Sequence, residues 1–222
     1  MILYLIHSGD KGKWIWPTWE YWFRRYWDKQ AFIDWLFLGE TIVPPFENVM
    51  TTGEVPYGQG LIEALGKLTK YRYVILTHED YFITGEIQYA VLQEIEQVMD
   101  ANALSLVKCC GWWSGHVSEE FPMKETELLV NNQKLWLYDN RSMYTLSHQP
   151  SVWNREFLLS TICQHYSPWA HELEGSDLVA SRADAKIYSY RGEQPIPYAE
   201  TVSAGKIREG AERFFNEVKA IE

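Results

Sequence analysis

No stretch of the 222 residues runs to 18 apolar positions, so the sequence holds no candidate for a membrane-spanning helix. Cysteine is scarce. Cys109, Cys110 and Cys163 form no metal-binding or disulfide pattern, and the adjacent pair suits buried thiols in a reducing, cytoplasmic compartment. Basic residues are outnumbered, 20 Lys and Arg against 30 Asp and Glu, for a net charge of −10. That balance argues against a nucleic-acid partner. It leaves room for a small anion held through a cation and a few local donors. A Gly-x-Gly-x-x-Gly fingerprint is missing, and so is a phosphate-binding P-loop, which counts against a dinucleotide or ATP site of either kind. Met1 to Ile6 is apolar but short and has no basic segment before it. It reads as a first strand, not a signal peptide. Internal repeats, low-complexity tracts and linkers are also missing, so one domain over 1–222 is expected.

Aromatic residues are abundant. Eleven Trp and 14 Tyr imply either a core built on large side chains or a surface that stacks on sugar rings. About two thirds of the Trp are expected inside, because the residue is heavily buried on average. Trp19, Trp22, Phe23, Tyr26 and Trp27 recur at helical spacing behind Pro17 and define a buried helix face. Trp14 and Trp16, just ahead of it, are freer to be exposed. Further strands are expected at Phe32 to Leu38, Leu104 to Lys108, Leu135 to Tyr138, Met143 to Leu146 and Lys186 to Tyr190, with a short one near Val49. Helices are expected from Gln59, after a Thr84 cap, after an Asn154 cap, around Leu178 to Ala183, and from Lys206 to the end. Glu119 to Gln133 reads as charged and irregular. Strand–helix–strand alternation over about 1–108 argues for a mostly parallel sheet with crossover helices.

Tyr71 to Phe82 organises this pattern. The apolar β-prone run Tyr73 to Leu76 ends abruptly in Thr77, His78, Glu79 and Asp80. A buried strand thus delivers ligand-grade side chains to its carboxyl end, where open α/β sheets bind their ligands.

Three stretches in order resemble one family. Leu76-Thr77-His78-Glu79-Asp80-Tyr81-Phe82 resembles the Asp-x-Asp region of GT-A glycosyltransferases. Tyr144 to Arg155, containing Ser147-His148-Gln149-Pro150 and Trp153, resembles the Ser-Leu-Gln-Pro-x-x-Trp-x-Arg stretch of small bacterial and viral members. Ser167-Pro168-Trp169-Ala170-His171-Glu172 through Gly175-Ser176 resembles their Asn-Pro-Trp-x-x-Glu-x-x-Gly-Ser segment. The resemblance implies a GT-A fold: a Rossmann-like nucleotide-binding half, about 1–108, and an acceptor half, about 109–222, around one mixed, mostly parallel sheet. It implies transfer of a sugar from a nucleotide-diphosphate donor, UDP as first guess, to a glycan or other hydroxyl acceptor. It also implies Mn²⁺ or Mg²⁺ held by the last acid of the first motif, Asp80. His78 stands at that motif's first position, so it either contacts the ribose or helps hold the metal.

The remaining assignments follow the chemistry of such a transfer. One carboxylate at a strand end suffices for a cation that also binds phosphate oxygens. Glu79 neighbours it on the donor side. His7, Ser8, Gly9 and Asp10 at the end of the first strand, with Gln59 and Gly60 at the start of a helix, are candidates for the base, ribose and phosphates. Lys206 and Arg208 are candidates to cover the diphosphate, with solvated surface charges as the alternative. Trp112 and Trp113, between Gly111 and Gly115, are candidates for the acceptor surface. Trp153 and Trp169 are expected to be framework. Glu172 is the first candidate for the general base of an inverting transfer, with Asp177 and Glu174 as rivals. Two other functions stay open, a non-catalytic carbohydrate-binding module and a sugar nucleotidyltransferase.

Overall fold

The computed structural model describes residues 1–27, 32–109, 123–142 and 144–220. The strands are β1 (Ile2–Ser8), β2 (Asp34–Gly39), β3 (Val49–Thr51), β4 (Tyr73–His78), β5 (Tyr81–Ile83), β6 (Leu106–Lys108), β7 (Met123–Val130), β8 (Gln133–Tyr138), β9 (Ser151–Asn154), β10 (Ile187–Tyr190), β11 (Tyr198–Glu200), β12 (Val202–Ser203) and β13 (Lys206–Ile207). The helices are α1 (Trp16–Tyr26), α2 (Tyr57–Lys67), α3 (Tyr89–Asn102), α4 (Arg155–Thr161), α5 (Pro168–Ala180) and α6 (Glu212–Lys219).

Nine strands form one sheet in the order β3-β2-β1-β4-β9-β6-β10-β8-β7. β1 to β4 run parallel, β9 reverses between β4 and β6, and β8 reverses between β10 and β7. β6 lies between β9 and β10, so strands from the two halves of the chain interleave. After β1 the chain steps outward to β2 and β3 and then returns to place β4 on the other side of β1. The order therefore reverses between β1 and β4. The crevice above the carboxyl ends of those two strands is the ligand position in open α/β sheets.

Both faces of the sheet are covered. One core joins alternate residues of β1 and β4 to α1, α3 and α6, and the other packs α2, α4 and the inner side of α5 against the opposite face. The α1 stripe places Trp19 and Trp22 in the core. Trp19 stacks on Phe23 at 4.7 Å and meets Phe37 edge-on at 4.9 Å, and Trp22 meets Phe214 of α6 at 5.1 Å. Trp16, expected to be free, is buried inside the first turn of α1 and donates its indole N–H to Ser8 Oγ. Trp14 is the exposed one of that pair.

Several sequence expectations change. The segment read as irregular forms β7, which pairs with β8 through Asn131 and Asn132, both at positive φ (48° and 58°). Two successive left-handed residues make the type of two-residue turn that hairpins favour, and Asn tolerates them. A bulge between Glu125 and Leu129 breaks the ladder. The strand expected at Met143 to Leu146 does not form among the described residues: 140–142 and 144–146 are turns and bends, and Met143 lies outside the described residues. α3 begins at Tyr89, and Thr84 instead donates its N–H to Pro197 O (2.9 Å). The helix expected at Leu178 starts ten residues earlier, because Ser167 accepts the Ala170 N–H (3.1 Å) and Pro168 suits the first turn. The last helix does not run from Lys206. Lys206–Ile207 pairs back on Val202–Ser203, and Gly210 (φ 82°) separates that hairpin from α6. The Asn154 cap forms as expected, accepting from Phe157 N (3.1 Å). No described helix is long and apolar enough to cross a membrane.

Candidate active site

β1 and β4 run in register from Ile2 and Tyr73, so His7 and His78 end side by side. Together with Gly9, Glu40, Tyr57, Glu79, Asp80, His148 and Glu172 they line a cavity of about 660 Å³ at the switch point. A second cavity, about 940 Å³, is lined by Tyr144, Ser147, Gln149, Gln194, Tyr198 and Arg208. Tyr81, Trp169, Glu172 and Glu200 belong to both walls. The two cavities therefore adjoin, and Glu172 stands where they meet.

The acids at the end of β4 are under strain from burial. Asp80 is raised to about 7, first by burial and then by repulsion from Glu200. Its Oδ1 is buried without a hydrogen-bond partner among the described residues. Glu79 is raised to about 8 by burial, with Asp80 adding to it. Glu79 lies against Gly12, where an added Cβ would stand 1.9 Å from Glu79 Oε1, so a side chain there would push the Glu79 carboxylate from its present position. The Asp80 carbonyl accepts both the Thr201 N–H (2.7 Å) and the Thr201 hydroxyl (2.8 Å), which fastens the segment 198–208 above it.

The two later sequence motifs contact each other directly. Glu172 Oε1 accepts the His148 backbone N–H (2.7 Å), and Ser176 Oγ accepts the Leu146 N–H (2.9 Å). Gly175 lets α5 approach: a Cβ there would be 3.0 Å from the His171 ring and 3.1 Å from Leu146. Burial raises the Glu172 carboxyl. The His148 N–H and the buried Lys108 ammonium oppose that rise. Lys108, which the sequence did not flag, donates from Nζ to the Tyr144 carbonyl (2.8 Å) and to Thr145 O (3.3 Å), fixing the loop that carries Ser147 and His148.

Behind this wall runs a file of histidines. His78 Nε2 is 3.0 Å from His148 Nδ1, His148 Nε2 is 2.8 Å from His171 Nδ1, and His171 Nε2 is 3.0 Å from Thr161 Oγ1. Burial holds His78 down at about 4 and His171 at about 3, and pushes His7 and His148 well below the usual imidazole range. At neutral pH these rings are uncharged.

The structure sorts the remaining candidates. His7 and Gly9 line the first cavity. Ser8 is fully buried and occupied by Trp16. Asp10 accepts the N–H groups of Thr41 and Ile42 (3.0 Å each) and the Thr41 hydroxyl, so it holds a turn rather than facing the cavity. Gln59 donates to Glu63 (2.9 Å). The first N–H groups of α2 are taken by the carbonyls of Tyr166 and Gln164, so that helix end offers them to no anion. Tyr57 and Glu40, unnoticed in the sequence, line the cavity instead. Lys206 is exposed on β13 and outside both walls. Arg208 lines the second cavity and pairs with Glu200. Asp177 and Glu174 are exposed on α5, away from both cavities. His78 commits Nε2 to His148, whereas Asp80 Oδ1 has no partner among the described residues. Trp153 is buried framework. Trp169, expected to be framework, is instead 60% exposed in the shared wall. Trp112 and Trp113 lie outside the described residues.

The nine-stranded arrangement has counterparts among solved structures. S. aureus TarS 1–349 in complex with UDP superposes with a TM-score of 0.54 at 15% identity, over 98% of this chain and 63% of that one. A second structure of S. aureus TarS 1–349 gives 0.51 at 13% identity, over 99% of this chain and 63% of that one. TarS itself gives 0.50 at 14%, over 99% of this chain and 38% of that one. The fold is GT-A. This GT-A chain spans under two thirds of the TarS fragment's length. No protein-family model matches the sequence, and no curated protein matches it.

Proposed function

We propose that the protein is an inverting glycosyltransferase that moves a sugar from a nucleotide-diphosphate donor, UDP-linked by first preference, to an acceptor hydroxyl. The observation that carries this reading is the pairing of two adjoining cavities across one half-buried carboxylate, Glu172. The smaller lies at the β1–β4 switch point, where a nucleotide belongs. The likeness to a UDP-bound TarS fragment supports the choice of nucleotide at the level of fold.

The donor set fits a hard divalent cation. Asp80 presents a buried carboxylate oxygen with no partner, among acids whose mutual repulsion a cation would relieve. Among the described residues no three His, Cys, Asp or Glu side chains are grouped to hold a metal ion. Mn²⁺ or Mg²⁺ needs no such cage, since it binds through one or two carboxylates and the substrate's phosphates. When bound, the ion would neutralise the leaving diphosphate. His7, Gly9, Tyr57 and Glu40 are placed to surround base and ribose. Glu172 is placed to take the acceptor proton as the acceptor oxygen bonds to the anomeric carbon and the bond from that carbon to the diphosphate breaks, the electron pair leaving with the phosphate. Burial raises its pKa, which strengthens it as a base.

Calorimetric titration with a panel of nucleoside diphosphates, with and without Mn²⁺, tests the donor half. Binding of UDP that requires the metal is expected. Glu172→Gln tests the other half: kcat should fall by roughly 10²–10⁴-fold, the usual contribution of a positioned base, with nucleotide affinity kept. A parent protein indifferent to every nucleoside diphosphate would sink the reading.

A further inference from the structure

We infer that the larger cavity is a carbohydrate site for an uncharged sugar ring, which stacks on Trp169 and presents its hydroxyl to Glu172. The inference rests on the transferase reading only for what the bound sugar does there; the binding itself stands on the wall.

Trp169 is the first element. It sits in the first turn of α5, one turn ahead of Glu172, so both side chains point along one helix face. At 60% exposure it leaves a large apolar ring facing a cavity with no core to fill. Tyr144 meets it edge-on at 6.0 Å, with its own backbone in the left-handed region (φ 50°). A bulky residue adopts that conformation only where its surroundings enforce it. The Lys108 ammonium holds the Tyr144 carbonyl (2.8 Å). A supported Tyr against an exposed Trp is a platform with flat faces, and the C–H faces of a sugar ring complement flat, electron-rich rings.

Polar capacity is the second element. Ser147 is 5% exposed and its Oγ has no hydrogen-bond partner among the described residues, and neither does Gln149 Oε1. Both residues line this cavity. Buried polar atoms are normally paired, so an unpaired hydroxyl and an unpaired amide oxygen just behind this wall are capacity that a polar ligand, directly or through a water, would satisfy. A ring carrying several hydroxyls supplies such polar groups beside an apolar face.

Charge selects among hydroxyl acceptors. The cavity carries Glu172 and Glu200, while its Arg208 is already paired with Glu200. A phosphorylated polyol or an acidic peptide would meet carboxylates with no spare cation among the described residues of the wall. A neutral glycoside meets no such repulsion.

Binding of methyl glycosides of glucose, galactose and N-acetylglucosamine is measured by saturation-transfer NMR, on the full chain with UDP and Mn²⁺ present. Glycerol phosphate and a Ser/Thr peptide serve as competitors of other classes. At least one glycoside should bind and the competitors should not. Trp169→Ala should weaken glycoside binding by about tenfold or more, a larger loss than it causes in nucleotide affinity. Trp169→Phe should recover most of the loss, because it restores a ring. Absence of glycoside binding at tens of millimolar, or equal binding by Trp169→Ala, overturns the inference, as does preferential binding of the phosphate or peptide. Glycoside binding in a protein that takes no nucleoside diphosphate would uphold the sugar site while removing the transferase reading.

Discussion

Replacing Asp80 by Asn should make the metal-free protein more stable, and more so as the pH rises. Burial and Glu200 lift the Asp80 carboxyl from its ordinary 3.8 to about 7. A folded-state pKa above the unfolded value means that the folded protein holds the proton more tightly. Stability is therefore highest below 3.8 and is lost progressively as pH climbs through about 7. At 1.36 kcal/mol per pKa unit the full penalty is roughly 4 kcal/mol, an upper figure because relaxation and solvent screening reduce it. With half of that realised, about 2 kcal/mol, a chain of this length should gain about 4–8 °C in Tm at pH 8 on Asp80→Asn. At pH 5 most of the penalty is absent and the gap should shrink to less than half. Thermal scans of both proteins at the two pH values measure it, and taking the difference removes the titrating groups that do not interact with Asp80, leaving Glu79 and Glu200 as its coupled neighbours. Mn²⁺ with UDP at a hundredfold excess over Kd should raise the parent by about 2.7 kcal/mol and leave Asp80→Asn almost unmoved. Equal Tm values for the two proteins at both pH values would refute the buried-acid argument, and equal stabilisation by metal and nucleotide would refute the ligand assignment.

The histidine file titrates with the opposite sign. With folded pKa values of about 4 for His78 and about 3 for His171 against about 6.5 unfolded, its contribution is complete above 6.5 and is lost as pH falls below it. Imidazole NMR should find His171 neutral at pH 5, and a midpoint at 6 or higher would contradict the burial account. Gly58→Ala would put a Cβ 2.0 Å from the Cys163 carbonyl and force α2 off its neighbour. A loss of about 1–3 kcal/mol is expected from such overpacking, and an unchanged Tm would show the contact to be slack. Trp19→Ala removes a fully buried ring touched by Phe23, Phe37 and Phe46, and should cost about 3–5 kcal/mol in denaturant unfolding.

The parallel half was legible because its signals are local. Apolar runs of strand length, helix-period stripes and a polar cluster closing Tyr73 to Leu76 each follow from a few adjacent residues. β7 was missed because an edge strand half in water shows charges where a buried strand shows Val and Ile. Its one strong mark, the Asn131–Asn132 pair, is a turn signal that was passed over. Trp169 was misjudged for a different reason. Burial statistics favour Trp inside, but α5 starts at Pro168 and turns that ring outward, which only the helix phase reveals. Tyr57, Glu40 and Lys108 reach the site from separate elements, and no spacing in the sequence connects them. Glu172 carried a motif, yet its partner at the His148 N–H lies 24 positions away.

A sheet nine strands wide has two open sides, and each is guarded. On one side β3 offers only three residues. On the other, β7 sets Lys124, Glu125 and Glu127 toward water and is bent by its bulge. Charged, kinked or very short borders deny a passing strand a straight row of amides to dock on. The wide sheet that spaces the two cavities can therefore stay dispersed at high concentration. Exchanging Lys124 and Glu127 for Val and Thr would be the shortest route to turning it into a template for its own aggregation.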